Sequence, residues 1–117
     1  VYNAIFLSLP RRKITRVPRS RPTICYPLHP TQPGQAPFAA ARAAGVAGVA
    51  VTDDAVRAAL RFAFEKLKLV LEPSGAVALA AALTGLLPLR DKVAVIFATG
   101  GNIAPDKFLS FLADGSA

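Results

Sequence analysis

The sequence predicts an α/β fold, a partial parallel sheet with flanking helices, and three observations carry that reading. Two short apolar runs, "VAGVAV" at 46–51 and "KVAVIFA" at 92–98, have the length and near-continuous apolarity of buried strands. Between them, residues 52–68 repeat their apolar positions at three and four, which is the period of a helix. The order helix, strand, helix, helix, strand, helix then matches strands joined by helical crossovers. Two parallel strands do not hold a sheet together alone, so the layer is expected to be incomplete.

The elements follow from local signals. From Val1 to about Gln35 no period is sustained, and "RRKITRVPRSRP" is basic and broken by proline. Pro27, Pro30 and Pro33 would interrupt any helix or central strand, so this part is expected to be extended or disordered. Residues 36–44 predict a short helix that Gly45 stops. In "TDDAVRAALRFAFEKLKL", Thr52 or Asp53 can cap a helix, and the two aspartates suit its positive end. Val56, Leu60, Ala63, Phe64 and Leu67 form one apolar stripe, with Arg57, Arg61 and Glu65 on the other side. Lys66 and Lys68 favour the C-terminal end. Pro73 and Ser74 then open a helix of small residues, apolar on most sides and hence deeply packed, which Gly85 ends. After the second apolar run, Pro105 opens a last helix through Leu112.

Composition bounds the function. At 117 residues the chain is one domain at most, and 53% apolar content fits a globular core rather than disorder. No apolar run approaches the length of a membrane span, and the arginines follow the first apolar segment instead of preceding it, against a secretory signal. Cys25 has no partner for an internal disulfide, and one cysteine with one histidine is no zinc site, so no metal is expected. A cytoplasmic setting is the expectation. The lack of any methionine is expected of a processed chain, an unusual start or a fragment. Charge is unevenly placed: residues 1–52 hold seven Lys and Arg and no acid, whereas residues 53–117 hold seven of each.

Two short motifs offer chemistry. In "VIFATGGNIAP" an apolar run ends in Thr99, Gly100, Gly101 and Asn102, where the glycines let backbone N–H groups approach a ligand. Ligands of α/β sheets bind beyond such strand ends. The plain alternative is a tight turn needing positive φ. In "EPSGA", Glu72 is the one acid of an apolar stretch, and if turned inward it must be paired or near something polar. The alternative is an exposed carboxylate before Pro73. Ser74 reads more simply as an N-cap.

Together, "VTDDAVRAALRFAFEKLKLVLEPSGAVALAAAL" and the later "GGN" resemble the C-terminal part of the threonine dehydratase and serine racemase family, pyridoxal-phosphate enzymes of the tryptophan-synthase-β fold type. The resemblance extends back through "PTICYPLHPTQPGQAPFAAARAAGVAGVAV" to Arg21. It implies that residues 21–117 are the C-terminal part of a lyase catalytic domain, a fragment of the large domain of a fold-type II enzyme, with residues 1–20 an unmatched basic segment, fused on or read in another frame. It further implies that Thr99 faces the pyridine nitrogen of pyridoxal phosphate, where a neutral partner leaves the ring a weaker electron sink than an aspartate would. Gly100 and Gly101 then leave the ring edge clear, and Glu72 and Asn102 lie beside the cofactor. The implied reaction takes a hydroxy amino acid to a 2-keto acid and ammonia.

The chain departs from that pattern in three ways. Thr99 stands where the family usually has Ser or Cys, and Tyr26 where an aspartate is usual. The Schiff-base lysine motif, the phosphate cradle and the metal-binding acids precede the matched part, and Lys13, Lys66, Lys68, Lys92 and Lys107 lie in no matching motif. No residue of this chain is therefore expected to act as the catalytic lysine, and the chain is expected to be inactive alone, with an amino-acid substrate only if the missing domain is supplied. Two alternatives stand beside this one: a binding module whose basic arm engages nucleic acid or an anionic surface, and a truncated remnant without function. Exposed strand edges would favour self-association.

Overall fold

A computed structural model describes residues 4–18, 22–28 and 30–113 of the chain. They fall into two units, Val1–Ala50 and Val51–Ala117.

In the first unit, helix α1 (Ala4–Ser8) ends at a buried serine whose Oγ accepts the Thr15 N–H at 2.9 Å. Val17 N–H reaches the Thr31 carbonyl at 2.7 Å, and a short 3-10 turn covers Tyr26–Leu28. Just before that turn, Cys25 is fully buried. Helix α2 (Gln35–Ala43) begins after Gly34 and buries Phe38. It stops where Gly45 takes φ +65°, and the Gly45 and Val46 N–H groups return to the Arg42 and Ala41 carbonyls. The expected helix at 36–44 is thus present one residue earlier. Helix α1 lies in the part expected to be extended or disordered. Its five residues are too few to show a helical period in the sequence.

The second unit is built on α3 (Asp53–Phe62). Thr52 caps it: its Oγ1 accepts the Ala55 N–H at 3.2 Å, while Asp53 and Asp54 occupy the first turn. The helix widens into a π turn at Ala63–Leu67 and closes at Lys68, which takes the left-handed conformation at φ +59°. The Lys68 and Leu69 N–H groups both donate to the Ala63 carbonyl across that end, the second at 3.0 Å. Val56, Leu60 and Ala63 of the expected stripe are fully buried, but Phe64 and Leu67 are exposed. The π turn explains the difference, because its wider winding carries residues after Ala63 out of the helical phase. Phe64 still meets Phe108 edge-on at 5.5 Å.

A 3-10 turn (Pro73–Ala76) leads into helix α4 (Val77–Leu83), which buries Leu79, Ala80 and Ala81. Its other face is open, since Ala78 and Leu83 are exposed, so it is packed on one side and not all round. Gly85, at φ +71°, follows it. Helix α5 (Pro105–Ala113) buries Phe108 and Phe111. Helix α3 packs against α4, α5 and the 3-10 turn. Arg57 stands 5.8 Å from the Phe111 ring centre, and an Arg61 N–H donates to the Leu112 carbonyl.

The expected α/β class with a partial parallel sheet is not what forms: the described residues contain helices and turns and no strand. Residues 46–51 and 92–98 run without helix and without a ladder. The cause is non-local. A strand exists only through hydrogen bonds to a neighbour, and neither segment has one, whatever its apolarity. The side chains show the same thing, with Val93 97%, Val95 82% and Phe97 78% exposed.

Candidate functional site

The two motifs singled out in the sequence meet in space. Glu72 N–H donates to the Gly100 carbonyl at 3.0 Å, which ties the start of the 73–76 turn to the glycine pair. That single bond joins segments far apart in sequence, with α4 and the 84–98 stretch between them.

Bare backbone makes the meeting possible at three positions. A β-carbon on Gly75 would lie 1.5 Å from the Thr99 carbonyl oxygen, so only a glycine admits that carbonyl. One on Gly101 would stand 2.7 Å from the Val70 carbonyl oxygen. Gly100 takes φ +73°, and a β-carbon there would meet the Glu72 carboxylate oxygen at 2.3 Å. The half-buried Glu72 side chain therefore lies directly against Gly100. Ile103 N–H closes the loop onto the Gly101 carbonyl at 2.9 Å, just before Pro105 opens α5.

Thr99, Gly100, Gly101 and Asn102 are all exposed. Of the expected five residues, Glu72 and Gly100 touch, Gly101 lies against the Val70 carbonyl, and Thr99 and Asn102 stand on the open loop. Gly75 belongs with them and was not expected. The signal in the sequence was a glycine at the start of an otherwise good helix, where it is unfavourable unless another backbone approaches closely.

Ser74 does not cap. The residue before the turn is Glu72, and no side chain supplies a cap bond there. Instead, Ser74 Oγ is buried and meets no hydrogen-bond partner among the described residues. An unpaired buried hydroxyl is costly, and such a group beside an open loop suits a site that takes up a polar ligand. The set of groups is neutral apart from Glu72: two hydroxyls, an amide and backbone flanked by glycine. It offers hydrogen bonds of defined direction to a polar ligand. No lysine or arginine belongs to the cluster, so it offers no cation to a phosphate group. Among the described residues no three His, Cys, Asp or Glu converge on a metal site, and no helix is long and apolar enough to cross a membrane.

Comparison with known proteins bears on this cluster. The family model for "Pyridoxal-phosphate dependent enzyme" matches residues 2–100, which takes in the basic stretch before residue 21 as well. No curated protein sequence matches the chain. Among solved structures, a threonine deaminase from T.th. is similar with 29% identity and a TM-score of 0.76, covering 88% of this chain and 37% of that one. The serine racemase of Dictyostelium discoideum is 26% identical with a TM-score of 0.73, covering 87% of this chain and 32% of that one. Maize serine racemase is 26% identical with a TM-score of 0.79, covering 98% of this chain and 37% of that one. The chain thus spans about a third of the length of these structures.

Proposed function

The chain belongs to the pyridoxal-phosphate dependent enzyme family, and on that premise we propose that it is the C-terminal portion of a threonine or serine dehydratase, supplying the pyridine side of the cofactor site. The observation that supports this most is the docking of the 72–76 turn onto Thr99–Gly101, with Glu72 N–H bonded to the Gly100 carbonyl and Gly75 pressed on Thr99. It brings the two motifs of the family resemblance into one cluster.

Pyridoxal phosphate, when bound, supplies the electron sink that lets an amino acid lose its α-proton and its β-hydroxyl, toward a 2-keto acid and ammonia. The residues here have positioning roles. The Thr99 hydroxyl offers a neutral hydrogen bond to the pyridine nitrogen, without the charge that would hold a proton there. Gly100 and Gly101 keep β-carbons out of the loop, and Glu72, tied to Gly100 by its backbone, sets the loop's position. Ser74 brings to the same corner a hydroxyl that has no hydrogen-bond partner among the described residues. No lysine belongs to this cluster, so the group that would carry the cofactor lies outside it.

A chimera tests the proposal. The chain replaces the matching third of the T.th. threonine deaminase, and cofactor content and 2-keto acid formation from L-threonine and L-serine are measured. Retained pyridoxal phosphate with measurable keto acid supports the reading. A folded chimera that holds no cofactor contradicts it.

A further inference from the structure

The first unit carries a cleft that the proposed dehydratase role does not use. It has a volume of about 470 Å³ and lies between the end of α1 and the end of α2, lined by Leu9, Pro10, Arg12, Arg42 and the backbone of residues 45–48. Two arginines therefore line one cavity. No carboxylate of this unit answers them, because residues 1–52 contain no aspartate or glutamate.

The Arg12 backbone and the Arg42 side chain each have a local contact. Arg12 takes φ +52°, a backbone state that side-chain-bearing residues enter at a cost, and its N–H bonds the Leu9 carbonyl at 3.1 Å. Arg42 lies in the last turn of α2, with its guanidinium 5.9 Å from the centre of the Phe38 ring. The far wall is backbone: Gly45 turns at φ +65°, and Gly48 sits where a β-carbon would stand 3.0 Å from the Phe6 Cα. The remaining lining, Leu9, Pro10, Val46 and Ala47, is apolar.

Two cations beside an apolar floor, in a unit without acidic side chains, select for an anion that also carries apolar surface. We propose that this cleft binds a small organic anion, its phosphate or carboxylate head between Arg12 and Arg42 and its flat apolar body against Leu9, Pro10 and Val46. Both arginines are exposed, so the ligand enters from solvent and the interaction weakens with salt.

The test is a titration of the full chain with phenyl phosphate, benzoate and inorganic phosphate, followed by amide NMR shifts. Saturable binding of phenyl phosphate or benzoate, with shifts at residues 9–12 and 42–48, is the expected result. Whichever of the two binds tighter identifies the head group as phosphate or carboxylate. Arg42→Gln and Arg12→Gly, the latter suited to the positive φ, each weaken binding by about tenfold, whereas Arg16→Gln, outside the cleft, leaves it unchanged. Equal loss in Arg16→Gln would reduce the effect to diffuse charge and overturn the proposal. So would inorganic phosphate binding as tightly as phenyl phosphate, or shifts confined to residues 72–76 and 99–102. That last pattern would leave the dehydratase reading standing while removing this one.

Discussion

Gly75 and Thr99 occupy one space: a β-carbon on the glycine would stand 1.5 Å from the threonine's carbonyl oxygen. Because the obstacle is backbone, no side-chain rotation relieves it. Gly75→Ala is expected to cost about 3 kcal/mol of unfolding free energy, at the upper end for overpacking. Gly85→Ala is the control, since its φ is +71° but nothing lies within 4 Å of the added carbon, and it should cost about 1 kcal/mol. Urea unfolding of both variants separates close approach from backbone strain. Equal losses would show that the 72–76 turn does not press on Thr99.

Thr99 is expected to act through its hydroxyl. Thr99→Ser keeps that group, while Thr99→Val keeps the shape and removes it. Fluorescence titration with pyridoxal phosphate should give similar affinity for the wild type and Thr99→Ser. For Thr99→Val it should be about fivefold weaker, the value of one hydrogen bond near 1 kcal/mol. Unchanged affinity in Thr99→Val would remove the hydroxyl from the account.

The cap at Thr52 gives a prediction about stability alone. Its Oγ1 accepts the Ala55 N–H at 3.2 Å at the head of α3, the helix on which the second unit is packed. Thr52→Ala should lower stability by about 1 kcal/mol and Thr52→Ser by much less. Thermal unfolding followed by circular dichroism reads the difference.

Val95 is 82% exposed on an apolar stretch that has no ladder partner among the described residues. Val95→Lys should therefore change the unfolding free energy by less than about 0.5 kcal/mol, as for other exposed positions. It should also reduce concentration-dependent association, because a charge blunts an unpaired apolar segment. Sedimentation velocity over a range of concentrations checks this. A large loss of stability would mean that Val95 is packed.

What the sequence made legible was local. The Thr52 cap, the helical stripe from Val56 to Ala63, the stops at Gly45 and Gly85 and the start at Pro105 each depend on residues a few positions apart, and each is present. The π turn after Phe62 was not legible, because Lys68 closes it in a left-handed conformation that a lysine does not advertise. Nor was the absence of strands. The runs at 46–51 and 92–98 have strand composition, but a ladder depends on a second segment, and periodicity within one segment is silent about it. At the site, the residue types of Glu72 and of Thr99–Asn102 were readable as motifs. Their contact was not, since it rests on the Glu72–Gly100 hydrogen bond and on the empty β-carbon position of Gly75, both set by tertiary packing.

The account rests on the 72–76 turn and the 99–102 loop forming one ligand-binding corner. The most direct measurement is an amide NMR correlation spectrum of the purified chain with and without pyridoxal phosphate. Dispersed peaks, with selective shifts at residues 72–76 and 99–102 that persist in Arg42→Gln, are the predicted result. A spectrum without selective shifts at those positions, or one whose peaks are collapsed, would contradict it.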